Sequence, residues 1–220
     1  MQADFSIELG ADDPTLSVPW EDSSGASRYY DLKLQPDLLL YIPEALRYPE
    51  LGEFLSAVNS SRSILQTAKC DLWFTTELNE EEQIYEAAGK FGGYIDLFFT
   101  SEERRTSFAY HESFARQLTA LLSRAPEMPS SMEVIIRQAH FESAEPDSGQ
   151  FAAPGPRPGF YFTCYVFGYG DQGYGDQGYG DQGYGDYREV ENEARLRWAV
   201  ALKLVENAFL QLASCRPGLI

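Results

Sequence analysis

The two histidines, His111 and His140, are the first residues to question for chemistry. Imidazole changes charge near neutral pH, which suits it to general acid–base work and to metal binding. His111 stands beside Glu112 on the apolar stripe of a helical stretch, and His140 ends a strand-like run beside Phe141. If the two faced each other with Cys164 or Glu112, a nucleophile–base pair would be conceivable. Nothing in the spacing brings them together, and a packing histidine is the better account of each. The weak catalytic candidates are therefore His111, Glu112, His140 and Cys164.

A second pattern carries carboxylates at a fixed interval. Gly168-Tyr169-Gly170-Asp171-Gln172 recurs from Gly173 and Gly178, and a partial copy from Gly183 ends at Asp186. Glycine-rich aspartate loops can hold calcium, which makes Asp171, Asp176 and Asp181 weak metal candidates. Their five-residue interval matches neither the nine-residue calcium roll nor the twelve-residue EF-hand loop. A tolerated expansion of one Gly-Tyr-Gly-Asp turn is the simpler reading, because lengthening a loop from about 5 to about 20 residues costs roughly 1 kcal/mol.

Other signatures are missing. The chain has no nucleophile elbow, Walker loop, HExxH or dinucleotide fingerprint, and no cofactor is implied. The acidic pairs Glu80-Glu81-Glu82 and Glu102-Glu103 sit at helix starts, where the dipole accounts for them. Arg104 and Arg105 read as a solvated helix surface. Three cysteines, Cys70, Cys164 and Cys215, without a CxxC pair, suit reduced thiols in cytosol better than disulfides or zinc.

Charge narrows the partners. The formal net charge is -17, from 17 Lys and Arg against 34 Asp and Glu. Such a chain repels nucleic acid and anionic membranes, so neither is expected as a partner. Plain solubility, a source with high internal salt, and a basic partner protein all account for the acidity. No run of about 18 apolar residues offers a membrane span, and the first residues show no secretory pattern.

The elements that must position these residues follow from periodicity. The longest is a helix from Asp186 to Cys215, capped by Asp186 with Glu189 three residues on. Val190, Ala194, Trp198, Ala201, Leu202, Val205, Phe209 and Leu212 give it one apolar face, which Leu196, Val200 and Leu204 widen. Lys203, Glu206, Asn207 and Gln211 form the polar strip, and Arg216-Pro217-Gly218 ends the helix.

Before it the pattern alternates between strands and helices. Residues 1–28 read as a mobile tail with at most one short strand around Phe5 to Leu9. Tyr29 to Ile42 reads as a strand, and Pro43 to Val58 as a helix. Further strands are expected at Ile64–Leu78, Tyr94–Thr100, Met132–Phe141 and Phe160–Phe167, the last two paired antiparallel. Asn79 and Glu82 form a capping box ahead of a short helix to Ala88, and Thr100 with Glu103 opens a helix to Arg124.

The expected fold is an α+β or α/β sandwich. Its mixed five-stranded sheet carries two or three long helices, with the C-terminal helix packed on the sheet. A single domain spans 29–216 and contains a Pro/Gly-rich loop, 142–159, and a flexible repeat loop, 168–185. No stretch carries a motif set specific to a named family. The expected function is a soluble, cytoplasmic, non-enzymatic protein–protein interaction module, chaperone-like or immunity-like, whose partner is a basic protein or a second copy. The alternative is a small-molecule binder or enzyme with a cleft around His111 or His140.

Overall fold

The structure, a computed structural model, describes residues 1–25, 27–142, 156–171 and 187–214. In chain order, strand β1 (Gln2–Glu8) and strand β2 (Thr15–Val18) precede a 3-10 helix, Pro36–Tyr41. Helices α1 (Pro43–Arg47) and α2 (Pro49–Val58) lead to strand β3 (Leu65–Thr75). A 3-10 turn, Glu81–Tyr85, joins it to strand β4 (Gly89–Phe99). Helices α3 (Glu102–Arg105) and α4 (Phe108–Leu122) follow, then strands β5 (Ser130–Phe141) and β6 (Arg157–Gly170), and helix α5 (Arg188–Ser214).

The expected α+β sandwich is what forms: a mixed sheet in the order β1-β5-β6-β4-β3, with helices against it. The edge strand β1 runs parallel to β5, and β2 continues the same edge alongside Gln138–Phe141. β6 pairs antiparallel with both β5 and β4, as expected for β5, and β3 pairs antiparallel with β4. Helices α2, α4 and α5 cover one face, with α5 across β6 and β4.

The helix-covered core is dominated by ring carbon. Trp198, Phe54, Phe91, Phe99, Phe162 and Phe209 are among its largest sealed side chains. β6 lets α5 approach closely through glycine. A Cβ on Gly168 would stand 2.2 Å from the Ala194 carbonyl oxygen and 2.3 Å from the Trp198 nitrogen. On Gly170 it would stand 2.1 Å from the Val190 carbonyl oxygen. No side chain fits there.

Several expectations need correction. The N-terminal segment is not a free tail: β1 and β2 supply a sheet edge, and Trp20 donates its indole N–H to the Ala68 carbonyl (2.7 Å). The expected strand at 29–42 is a turn and a 3-10 helix. Asp31 Oδ1 accepts from the backbone of Lys33 and Leu34 (3.0 and 2.9 Å), and Pro36 has no N–H for a ladder. The fifth strand of the path is thus β1. The 43–58 helix is broken at Tyr48, ahead of Pro49.

The helix at 101–124 is likewise split. Thr100 does not cap it; Thr100 Oγ1 donates instead to the Ile64 carbonyl (3.2 Å), and Ser107 Oγ caps α4 by accepting from Tyr110 N–H (3.3 Å). The Asn79–Glu82 capping box forms in both directions, each bond 2.9 Å, on a shorter 3-10 turn.

Helix α5 buries Val190, Ala194, Trp198, Ala201, Leu202, Val205 and Phe209 as expected, with Leu212 and Leu204 partly covered. Leu196 and Val200 do not widen the face: they are 68% and 54% exposed. Glu206, placed on the polar strip, is buried and accepts from Lys203 (2.7 Å). β6 also claims both ends of the expected loops: 157–159 leave the Pro/Gly stretch and 168–170 leave the repeat. The Asp186 cap, Cys215, the 216–218 stop and residues 143–155 and 172–185 of the two loops lie outside the described residues.

Candidate functional site: the open face of the sheet

Side chains alternate across a strand, so each strand of this sheet feeds both faces. Along β6, Phe162, Cys164 and Val166 point to the helices and enter the main core. Tyr161, Thr163, Tyr165, Phe167 and Tyr169 point the other way, away from the long helices. There Arg105 of α3 lies over Phe141 (4.6 Å) and Phe98 (6.0 Å), and Tyr161 joins those rings in a second buried cluster with Val18 and Ala139. β4 adds Lys90, Tyr94, Asp96 and Phe98 to that side, and β3 adds Lys69, Asp71 and Trp73, by their register. β5 and β1 add Glu133, Arg137, Asp4 and Glu8.

Four half-buried rings form a closed patch at the centre. Trp73 meets Tyr94 (6.4 Å between centroids) and Phe167 (5.7 Å), and Tyr165 meets Tyr94 (6.0 Å) and Phe167 (6.2 Å). Rings at these spacings attract one another. Lys90 lies over Phe167 (4.8 Å) and Lys69 over Tyr94 (6.0 Å), and each of the four rings is only partly covered.

A polar relay runs beside the patch. Arg137 binds Glu8 (Nη2 to Oε2, 2.7 Å) and donates to Thr163 Oγ1 (3.0 Å). Thr163 in turn donates to Asp96 Oδ1 (2.7 Å). Asp96 is only 5% exposed, and burial pushes its carboxyl up to about 6. The Thr163 hydroxyl and the charges of Arg137 and Lys69 pull the other way and lose. Burial likewise raises the phenol of Tyr94, with Asp96 adding to the effect.

The patch is flanked at both ends. At one, Tyr85 stacks on Tyr169 (4.2 Å), whose hydroxyl donates to Glu82 (2.9 Å) and lies 2.8 Å from Ser131 Oγ. Lys90 closes that strap by binding both oxygens of Glu82 (2.6 and 2.8 Å). A cleft of about 410 Å³ opens there, lined by Trp73, Tyr165 and Phe167 and by Asp4, Glu81 and Glu133. Asp4 and Glu133 are direct neighbours across β1 and β5, both exposed. Like charges so placed repel. At the other end, a cleft of about 440 Å³ lies between the Trp20 segment, Tyr41–Glu44 and strand β3.

The residues singled out from sequence fall elsewhere. His111 is fully buried on the helix side, packed on Phe99 (4.8 Å) and Phe162 (4.7 Å), and its Nδ1 donates to the Ser107 carbonyl (2.9 Å). Burial pushes it down to about 4, so the ring is neutral at physiological pH. Cys164 is sealed in the same core, where burial pushes the thiol up to about 12 and leaves no thiolate to react. Glu112 points to solvent and pairs with Arg116 (2.7 Å). His140 is exposed at the end of β5. Neither histidine lines the clefts of about 440, 410 and 320 Å³.

Asp171 is held by salt bridging to Arg197 (3.3 Å), while its N–H donates to Glu193 (2.8 Å). Asp176 and Asp181 lie outside the described residues, and among the described residues no three His, Cys, Asp or Glu side chains converge as metal ligands.

The aromatic run of β6 signals a strand, but the face each ring takes is set by pairing register, which local sequence does not encode. Asp96 left a signal too: one carboxylate inside the apolar run Tyr94–Phe99. Among the described residues, no helix is long and apolar enough to cross a membrane. No protein-family model matches the chain, and no curated protein and no solved structure resembles it.

Proposed function

We propose that this protein is a cytoplasmic, non-enzymatic binding module whose open sheet face takes a basic segment of a partner protein, in a chaperone-like or immunity-like role. The observation that carries this reading is the closed, half-exposed patch of Trp73, Tyr94, Tyr165 and Phe167 on the face opposite the long helices. Contiguous half-exposed aromatics mark binding surfaces, and Trp and Tyr anchor them most often.

The kind of partner follows from charge. The chain carries -17 overall, and Asp4, Glu81 and Glu133 rim the cleft beside the patch. Arginine and lysine satisfy both halves of such a surface, stacking on rings and pairing with carboxylates. The same charge disfavours nucleic acid and anionic membrane. Free thiols at Cys70 and Cys164 support a reducing compartment.

The test is a titration of the protein with a synthetic arginine-rich peptide at low and at high salt. Saturable binding that weakens with salt is expected, with loss in the double variant Trp73→Ser/Tyr165→Ser. Binding that the double variant leaves unchanged would overturn the reading.

A further inference from the structure

The sheet has two edges, and they are guarded differently. One edge is broken into β1 and β2, which lie in series along β5. The other is a single strand, β3. The first half of β3 is sealed by side chains. Leu65 N–H donates to Ser63 Oγ (3.1 Å), and the Leu65 carbonyl accepts from Lys33 Nζ (3.0 Å). Thr67 N–H donates to Asn59 Oδ1 (3.0 Å), and Trp20 occupies the Ala68 carbonyl (2.7 Å). The register also slips between Thr67 and Lys69. Bulges and side-chain covers are what keep a strand edge from templating another.

Past the slip the covers stop. An antiparallel ladder aims the backbone groups of every second residue away from its partner strand. Leu65 and Thr67 point outward before the slip. The slip shifts that alternation by one residue, so Cys70, Leu72 and Phe74 point outward after it. Leu72 N–H is met only by the neighbouring Asp71 Oδ1 (2.8 Å). Among the described residues, no side chain from another element binds the outward groups of these three. The cleft of about 440 Å³ runs along Thr67–Asp71 and leads into this stretch.

We infer that the free half of β3, 69–75, takes the basic segment as an added strand. The inference rests on the reading of the open face as a site for a basic polypeptide. The occupant is an extended segment that alternates apolar and basic residues. Toward the helix layer it meets Cys70, Leu72 and Phe74, each only partly covered, which call for apolar neighbours. Toward the open face it meets Asp71 and Trp73, a carboxylate and an indole that suit arginine or lysine. Trp73 belongs to both this edge and the four-ring patch, so one segment reaches both. Main-chain bonds supply affinity in such strand addition, and the alternating side chains supply specificity.

The experiment uses a short synthetic peptide alternating valine and arginine, added to the full chain at low salt and followed by amide NMR shifts. Saturable binding with the largest shifts on 69–75 is expected. Two further peptides carry N-methyl groups along one strand edge or the other, which keeps charge and side chains but blocks main-chain bonds on that edge. One of the two is expected to bind at least about tenfold more weakly than the parent. If both methylated peptides match the parent, strand addition is overturned while the basic-segment reading stands. If no peptide binds even at low salt, that reading falls as well. Sedimentation of the protein alone supplies the last arm. A monomer supports a free edge. A dimer that Leu72→Lys dissociates would show a second copy already seated on β3, and would overturn the proposal.

Discussion

Trp198 and Trp73 sit on opposite sides of the same sheet. Trp198 is 1% exposed and meets Tyr48 and Phe91 edge-on (6.2 and 5.2 Å). Trp73 meets Tyr94 and Phe167 at similar spacings but keeps part of its surface in water. The strands that supply the two sides are the same; only the parity of the residue differs. On β6 the helix side reads Phe162, Cys164, Val166, Gly168, Gly170, while the open side reads Tyr161, Thr163, Tyr165, Phe167, Tyr169. Hydroxyl groups fall on the side away from the long helices, where Tyr161, Thr163 and Tyr169 are buried and Tyr165 and Phe167 only half-buried, while Gly168 and Gly170 fall on the side that α5 approaches. The helix-covered face excludes water throughout, whereas on the other face Phe98 and Tyr161 at one end and Tyr169 beneath Tyr85 at the other are buried, and the four-ring patch between them stays half-exposed.

The sharpest way to break that contrast is to truncate both tryptophans. Trp198→Ala is expected to cost about 3–5 kcal/mol in denaturant unfolding, because it removes a sealed ring from a core that cannot collapse around the void. Trp73→Ala is expected to cost about 1–2 kcal/mol, since only part of its area is buried. Equal losses would mean that the two faces are not different in kind.

The close contact of β6 with α5 ranks next. Gly168→Ala forces a methyl group to within 2.2 Å of a helix carbonyl oxygen, and backbone on both sides must shift. A loss of about 3 kcal/mol is expected. A neutral result in thermal unfolding would show that α5 is free to lift from the sheet.

The two buried titratable groups respond to pH with opposite signs. His111 is held below its ordinary value, so the unfolded chain binds the extra proton. Its contribution is complete above about 6.5 and declines as pH falls toward about 4. Asp96 is raised to about 6, so the folded chain binds the extra proton. Its contribution is complete below the ordinary carboxylate value and is lost as pH rises through about 6. Each effect is limited to one proton, about 1.4 kcal/mol per pH unit across its window. Relative to the parent, Asp96→Asn should therefore gain stability as pH rises from 4 to about 6. His111→Gln should gain relative to the parent as pH falls through the same interval. Denaturant midpoints taken every half unit decide it, and parallel curves for parent and variants would refute both placements.

The covered face was far more legible in the sequence than the open one. Helix α5 and the capping box at Asn79 announce themselves through local periodicity and local hydrogen bonding, which a sequence carries directly. The break at Ser107 and the loss of a strand at 29–42 turn on single side chains choosing a backbone partner, Ser107 for Tyr110 and Asp31 for Leu34, against a competing pattern. The edge position of β1 is harder still, because Phe5 and Ile7 become a strand only through pairing with Val134 and Ile136, far along the chain. The four-ring patch draws on three strands separated in sequence. Its rings were visible, and their common side was set by a register that no local signal encodes.

Glu112 offers the smallest and most discriminating comparison. It follows His111 in sequence, yet on a helix successive residues diverge by about 100°, so one side chain enters the core while the next meets water. Its bond to Arg116 is an exposed i,i+4 pair, worth at most about 0.5 kcal/mol. Glu112→Ala should therefore change the unfolding free energy from denaturant titration by less than that. It should also leave the acid response of the parent unaltered, because a neutral imidazole sealed by Phe99 and Phe162 has no need of a carboxylate. If the variant instead shifts the pH at which stability begins to fall, the two side chains communicate. The helix-covered face would then hold a working acid–base pair, and the division of labour between the faces would have to be redrawn.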